Sequence, residues 1–113
     1  MPRKRSAPTP APALDLLRCL GAVDNERRLQ ILHWLKEPAR NFRPQVEGDL
    51  EIDGVCGILI AEKFGVSQPT LSEHMRVLTA SGLVTARRMK QWTFFRRDER
   101  AISAFTRAVR ESL

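Results

Sequence analysis

No apolar run in this 113-residue chain approaches the roughly 18 residues that a membrane-crossing helix needs. The amino terminus, Met1-Pro2-Arg3-Lys4-Arg5-Ser6, is basic but continues into Pro and Ala instead of an apolar core, so no secretion signal is expected. There are only two cysteines, Cys19 and Cys56, too few for a disulfide framework. There are only two histidines, His33 and His74, and no spacing assembles a nucleophile-base triad from them, so an enzyme is not expected. No internal repeat is visible. These absences together lead to the expectation of a small cytoplasmic, non-membrane protein without catalytic chemistry.

What is present is positive charge: 19 Lys and Arg against 13 Asp and Glu, a formal net charge of +6. A basic excess favours an anionic partner, nucleic acid or an anionic membrane, and composition does not decide between the two. The length fits one domain, and a chain this short leaves enough surface unburied that a dimer partner would add useful burial.

Residues 1–13 carry Pro2, Pro8, Pro10 and Pro12 with Arg3, Lys4 and Arg5, and are expected to form a disordered basic arm. Residues 14–113 are expected to form the folded domain. Periodicity predicts a first helix over 13–22, with Leu14, Leu17 and Gly21 on one side and Leu16 and Leu20 on another. A second helix, over 25–36, has Asp24 as its expected N-cap and Ile31, Leu32 and Leu35 on its inner face, and Pro38 ends it. A long connection over 38–54 follows. In it Glu47, Asp49, Glu51 and Asp53 alternate with Gly48, Leu50 and Ile52, which suggests a short extended piece. A third helix is predicted over 55–64, a fourth over 68–81 capped by Ser67, a hairpin from 83–88 and 91–96, and a last helix capped by Asp98. Ile102, Phe105 and Val109 share one face of that last helix. The fold class expected is mainly α with a small β-hairpin, a winged helix-turn-helix.

The informative stretch runs from Ile58 to Val84. Two short helices meet at the tight turn Gly65-Val66-Ser67. Leu71, Met75 and Leu78 cluster within a narrow arc of the second helix, and Pro69, Glu73, Arg76 and Ala80 occupy the opposite arc, flanked by Thr70 and Ser72. One face is made to pack and the other is small, polar and open, as a helix entering a DNA major groove requires. Gln68, Thr70, Ser72, Glu73 and Arg76 are the candidate groove contacts. Arg87, Arg88, Lys90 and Gln91, in the hairpin, are the candidate contacts to phosphate or the minor groove. Between residues 63 and 97 seven basic residues face a single acid, Glu73. On this reading the positive charge gathers on one surface and the acids sit elsewhere.

Three segments also resemble the ArsR-type winged-helix repressors. They are Asn25-Glu26-Arg27-Arg28-Leu29-Gln30-Ile31-Leu32, then Ala61 to Ser72 with His74 and Leu78, then Gly82-Leu83-Val84 with Trp92-Thr93-Phe94-Phe95. The resemblance covers about residues 14–110. It implies a homodimer joined through its first and last helices, with Leu14, Leu17, Ile102, Phe105 and Val109 at the interface, that represses promoters at palindromic double-stranded operators. The 38–54 connection is longer than the compact family pattern.

The family's metal sites are expected to be absent. Where many members carry Cys-x-Cys at the start of the third helix, this chain has Cys56 and Ile58. Where others carry Asp-x-His at the start of the last helix, it has Asp98 and Arg100. Asp49-x-Glu51-x-Asp53-Gly54 fails as a calcium loop because its twelfth position is Ile60. No cofactor is expected. Two alternatives remain open on the sequence: a thiol-responsive repressor using Cys19 and Cys56, and a winged helix that docks proteins. His74 is expected to bond nearby backbone, and Trp92, Phe94 and Phe95 to pack the wing.

Overall fold

The structure, a computed structural model, describes residues 14–113; the expected arm over 1–13 lies outside the described residues. The carboxylate of Asp15 accepts the Arg18 N–H and starts α1 (Leu16–Val23). This helix turns Cys19 and Ala22 inward and leaves Leu17 79% exposed. Of the two leucines expected at the subunit interface, Leu14 touches the core and Leu17 does not. Small inward residues let the helix lie close to the end of the helix-turn-helix, where the Cys19 thiol donates to the Ser81 carbonyl at 3.4 Å.

Asn25, not Asp24, caps α2 (Glu26–Lys36): its side-chain oxygen accepts the Arg28 N–H at 3.1 Å, while the Asp24 N–H closes α1 on the Leu20 carbonyl. Ile31, Leu32 and Leu35 are buried, as their spacing predicts. Pro38 does more than follow the end of α2. It opens a further short helix, α3 (Pro38–Asn41), where its missing N–H costs nothing.

The predicted third helix loses its first two residues to the sheet. Val55 and Cys56 form β1, and α4 (Gly57–Phe64) begins after them. Gly65, at φ 71°, ends α4 in the left-handed conformation and donates to the Ala61 and Glu62 carbonyls. Ser67 then caps α5 (Gln68–Ala80), accepting the Thr70 N–H at 3.3 Å. β2 (Val84–Met89) and β3 (Trp92–Arg97) form the hairpin, and Asp98 caps α6 (Glu99–Ser112) by accepting the Ala101 N–H. The hairpin turn lacks glycine because Lys90 itself adopts φ 57°.

The result is a winged helix-turn-helix, mainly helical, with a three-stranded antiparallel sheet in the order β1-β3-β2. The strand β1, absent from the expectation, pairs Val55 with Phe95 and Cys56 with Phe94. Ile31, Leu35, Ile60, Leu71, Leu78 and Val84 belong to one buried cluster, with Phe95 packed against it. Phe94 is also buried, but on the opposite face of the sheet, where the backbone at Gly48 lies against its ring.

The connection over 42–54 forms no strand: the short extended piece expected of its alternating acids is replaced by bends and a turn. Asp49 accepts the N–H groups of Glu51 (2.8 Å) and Ile52 (2.9 Å), and its carbonyl accepts that of Asp53 (2.8 Å). An aspartate that captures the backbone two and three residues ahead favours a tight turn over a strand. Gln45 ties the loop to β1, donating to the Gly54 carbonyl (2.8 Å) and accepting the Cys56 N–H (3.1 Å).

Candidate nucleic-acid interface

Leu71, Met75 and Leu78 anchor α5 in the core, each no more than 2% exposed. That anchoring turns Gln68, Thr70, Ser72, Glu73 and Arg76 to solvent, and all five are exposed. They are not equally free. Ser67 Oγ lies 3.0 Å from Thr70 Oγ1, so the Thr70 hydroxyl is engaged in the helix cap. Glu73 and Arg76 form a bidentate ion pair one turn apart, with Arg76 Nε 3.1 Å from Glu73 Oε1. The hydrogen bond from Arg76 and its charge hold the Glu73 carboxyl below its usual range, and the same pair raises Arg76. Gln68 and Ser72 have no side-chain partner among the described residues.

An open groove of about 480 Å³ separates α5 from the hairpin, with Gln68, Ser72 and Arg76 on one wall and Ala86 and Gln91 on the other. In the hairpin Arg87, Arg88, Lys90 and Gln91 are all exposed. Strand alternation divides them. Arg88 pairs in register with Thr93 and shares its face with Ala86 and Phe95, the face toward the helical body. Arg87 pairs with Phe94 on the outer face. There Asp53 receives its guanidinium at 3.2 Å, and at the hairpin tip Lys90 reaches Glu47 at 3.5 Å. Among the described residues Arg88 donates only to the Lys90 carbonyl, at 3.1 Å.

This corrects the expected separation of charge. The acids of 47–53 fold back onto the wing instead of sitting elsewhere. Three of the seven counted cations are structural: Arg97 donates to the Leu32 carbonyl and pairs with Glu99, Arg96 donates to the Ile52 carbonyl, and Lys63 stands 5.0 Å above the Trp34 ring.

The arsR-family model of bacterial regulatory proteins matches residues 56–86, from β1 through α5 into β2. The chain is 44% identical over 89 residues to the uncharacterized HTH-type transcriptional regulator YbzH of Bacillus subtilis, covering 79% of this chain and 89% of that protein. The chain belongs to the ArsR family. Among solved structures it is similar to a homodimeric winged helix-turn-helix DNA-binding domain from Mycobacterium bovis, a possible ArsR-family transcriptional regulator. That match has 29% identity and a TM-score of 0.58, over 88% of this chain and 80% of that one. It is also similar to NolR from Sinorhizobium fredii, with 28% identity and a TM-score of 0.57, over 84% and 80% of the two chains. This ArsR-family protein is a helix-turn-helix DNA-binding transcriptional regulator, and its family is one of regulators and not enzymes.

Of the residues expected at a subunit interface, Leu14 packs against the core and Leu17 is exposed on α1. Ile102 and Phe105 are half-buried and pack against the core, Val109 is half-buried beyond them, and α6 buries no residue fully. A groove runs between α2 and α6, lined by Leu29, Leu32, Ile102 and Phe105. Leu17, Leu20 and Leu29 are exposed.

The residues at the family's metal positions do not fit a metal. Cys56 is buried in β1, Ile58 offers no ligand atom, and the Asp98 carboxylate is engaged as the cap of α6. Among the described residues no three His, Cys, Asp or Glu side chains form a group that could hold an ion. The Cys19 thiol is fully buried, and burial first, then the charge of Asp15, pushes its pKa up, away from the reactive thiolate.

Two residues that organise the interface escape sequence reasoning. Arg28 donates to the Ala22 carbonyl (2.7 Å) and the Gly21 carbonyl (3.3 Å), closing the end of α1, and stands 3.2 Å from His74 Nδ1 on α5. His74 thus meets a side chain, not the expected backbone group. Burial, then Arg28 and Arg27, lowers its pKa. The signal for Arg28 was the need of α1 for a donor at its carboxyl end. Asp53 is the second, because only the folded loop brings it to Arg87.

Proposed function

We propose that this regulator is a homodimeric, metal-independent repressor that reads a palindromic operator. The observation that carries the reading is the open face of α5: Gln68, Ser72 and Arg76 stand exposed opposite three buried anchors, beside an exposed basic hairpin. In a major groove Gln68, Ser72 and Arg76 reach base edges, with Thr70 and Glu73 at the margin of the contact. Arg88 and Gln91 follow the flanking backbone, and Arg87 and Lys90 do so to the extent that the acids beside them release them.

Dimerisation is supported by the apolar side of the molecule. Leu17 and Leu20 on α1 and Leu29 in the groove beside α6 are exposed, and a second copy gives them burial that the monomer lacks. Two copies related by a twofold axis present two α5 helices, which calls for a twofold-symmetric site. Repression is the action that the family implies. The environment of Cys19 favours a packing role over a thiol switch.

The test is selection of bound duplexes from a random pool, with and without reductant and zinc, alongside sedimentation of the wild type and Phe105→Glu. The reading expects a palindromic consensus unchanged by either additive, a wild-type dimer and a monomeric or misfolded variant. A tight stoichiometric zinc complex that abolishes binding, or a Phe105→Glu variant that sediments as the same dimer, overturns the respective part. A flat response of affinity to salt turns the reading toward a winged helix that docks proteins.

A further inference from the structure

The outer face of the sheet carries an arrangement that DNA binding alone does not explain. The 45–54 loop is built onto it. Gly48, at φ 79°, has no room for a Cβ, which would lie 2.9 Å from the Phe94 ring. Gly54, at φ 105°, passes so close to β3 that a Cβ would lie 2.6 Å from both the Phe95 carbonyl oxygen and Arg96 Cγ. Arg96 donates to the Ile52 carbonyl at 2.8 Å. The seated loop presents Asp53 to Arg87 and Glu47 to Lys90. The Asp53 carboxylate is held from both sides: one oxygen accepts the Asp49 N–H at 2.7 Å and the other accepts Arg87 at 3.2 Å. Its side chain is only 17% exposed, whereas that of Arg87 is 63% exposed. The acid is fixed and the cation is free to leave.

A carboxylate and a DNA phosphate ask for the same guanidinium. We propose that Asp53, and more weakly Glu47, compete with DNA phosphate for Arg87 and Lys90, so that the loop suppresses sequence-independent affinity and leaves a larger share of recognition to α5. This rests on the reading of the hairpin as a DNA-facing wing. The loop tunes overall affinity and not the ratio between sequences: it lowers affinity for all sequences alike and spares the base-reading face, which carries none of its contacts. Arg88, on the other face of the hairpin, stays outside the competition.

The probe is a scrambled 30-base-pair duplex titrated across a salt series, where each phosphate contact adds about 0.9 to the slope of log affinity against log salt. Asp53→Asn should steepen the slope by about one unit and tighten low-salt binding several-fold, and Glu47→Gln should do the same to a smaller degree. Glu51→Gln removes an equal charge from the same loop but frees no wing cation, and its slope should match wild type. In an Arg87→Ala background, Asp53→Asn should add nothing to the slope. The proposal is overturned if Asp53→Asn weakens binding, if Glu51→Gln steepens the slope equally, or if the effect survives without Arg87. If Asp53→Asn fails to fold, the surface pair Glu47 and Lys90 decides by the same criterion. Arg88→Ala separates the two levels. A wild-type slope in that variant means the wing does not meet DNA, whereas a reduced slope without steepening by Asp53→Asn defeats the competition alone.

Discussion

The helix α5 and the hairpin both present cations to solvent, and different forces hold them in place. The helix α5 is oriented from within: Leu71, Met75 and Leu78 seat it, and its polar face follows from helical geometry without help from another segment. The hairpin is oriented from both sides. Phe95 meets the main core on one face, and on the other Phe94 lies under a loop that also supplies the acids for Arg87 and Lys90. An element made by local periodicity is self-sufficient. An element made by strand alternation sends neighbouring arginines to opposite surfaces, and distant residues then decide what each one does.

The strongest way to break this contrast is to unseat the helix. Leu71→Ala leaves a cavity beneath α5 and should cost about 2–5 kcal/mol of stability. Chemical denaturation reads the loss. At temperatures where the variant remains folded, operator preference should fall while the salt slope is retained. If preference falls no more than the slope does, the two elements are not held independently.

The complementary change strikes the seam between loop and hairpin. Gly54→Ala forces a side chain into a positive-φ position against the Phe95 carbonyl, and should cost about 1–3 kcal/mol. Thermal unfolding measures it, and operator preference should survive. A neutral Gly54→Ala variant would mean that the loop is not seated as described.

A smaller effect tests the junction of α2 with α5. His74 is held neutral by burial and by Arg28, so its folded pKa lies below its ordinary value of 6.5. The unfolded chain then binds more protons than the folded one between that lowered value and 6.5, and stability should fall as pH drops through this window. His74→Gln should flatten that part of the stability-pH profile. A wild-type profile already flat just below pH 6.5 would contradict the burial of a neutral His74 beside Arg28.

The same contrast explains what was legible in the sequence. The helices α2, α5 and α6 were readable because their cues are local: an apolar arc at helical spacing, and the caps Ser67 and Asp98. The exposed candidates of α5 and the hairpin followed from that periodicity. The inward face of α1 was not readable, because close approach to Ser81 selects Cys19 and Ala22 over leucines that a second copy can cover. The strand β1 is two residues long and shows no alternation to detect. The acids of 47–53 were expected to sit away from the basic surface because the pairs Asp53–Arg87 and Glu47–Lys90 span 34 and 43 positions, and only the folded loop brings them together.

The central claim, that α5 reads bases while the wing holds phosphate, is tested most directly by one competition measurement. Wild type, Ser72→Ala, Arg76→Ala and Arg88→Ala are each titrated with operator against scrambled duplex, with folding checked by circular dichroism. The account predicts that Ser72→Ala or Arg76→Ala narrows the operator-to-scrambled affinity ratio by about 5- to 100-fold. It predicts that Arg88→Ala weakens both duplexes by a similar factor and lowers the salt slope by about one unit. If Arg88→Ala abolishes the ratio while both helix variants leave it intact, the hairpin reads the sequence and the account is wrong.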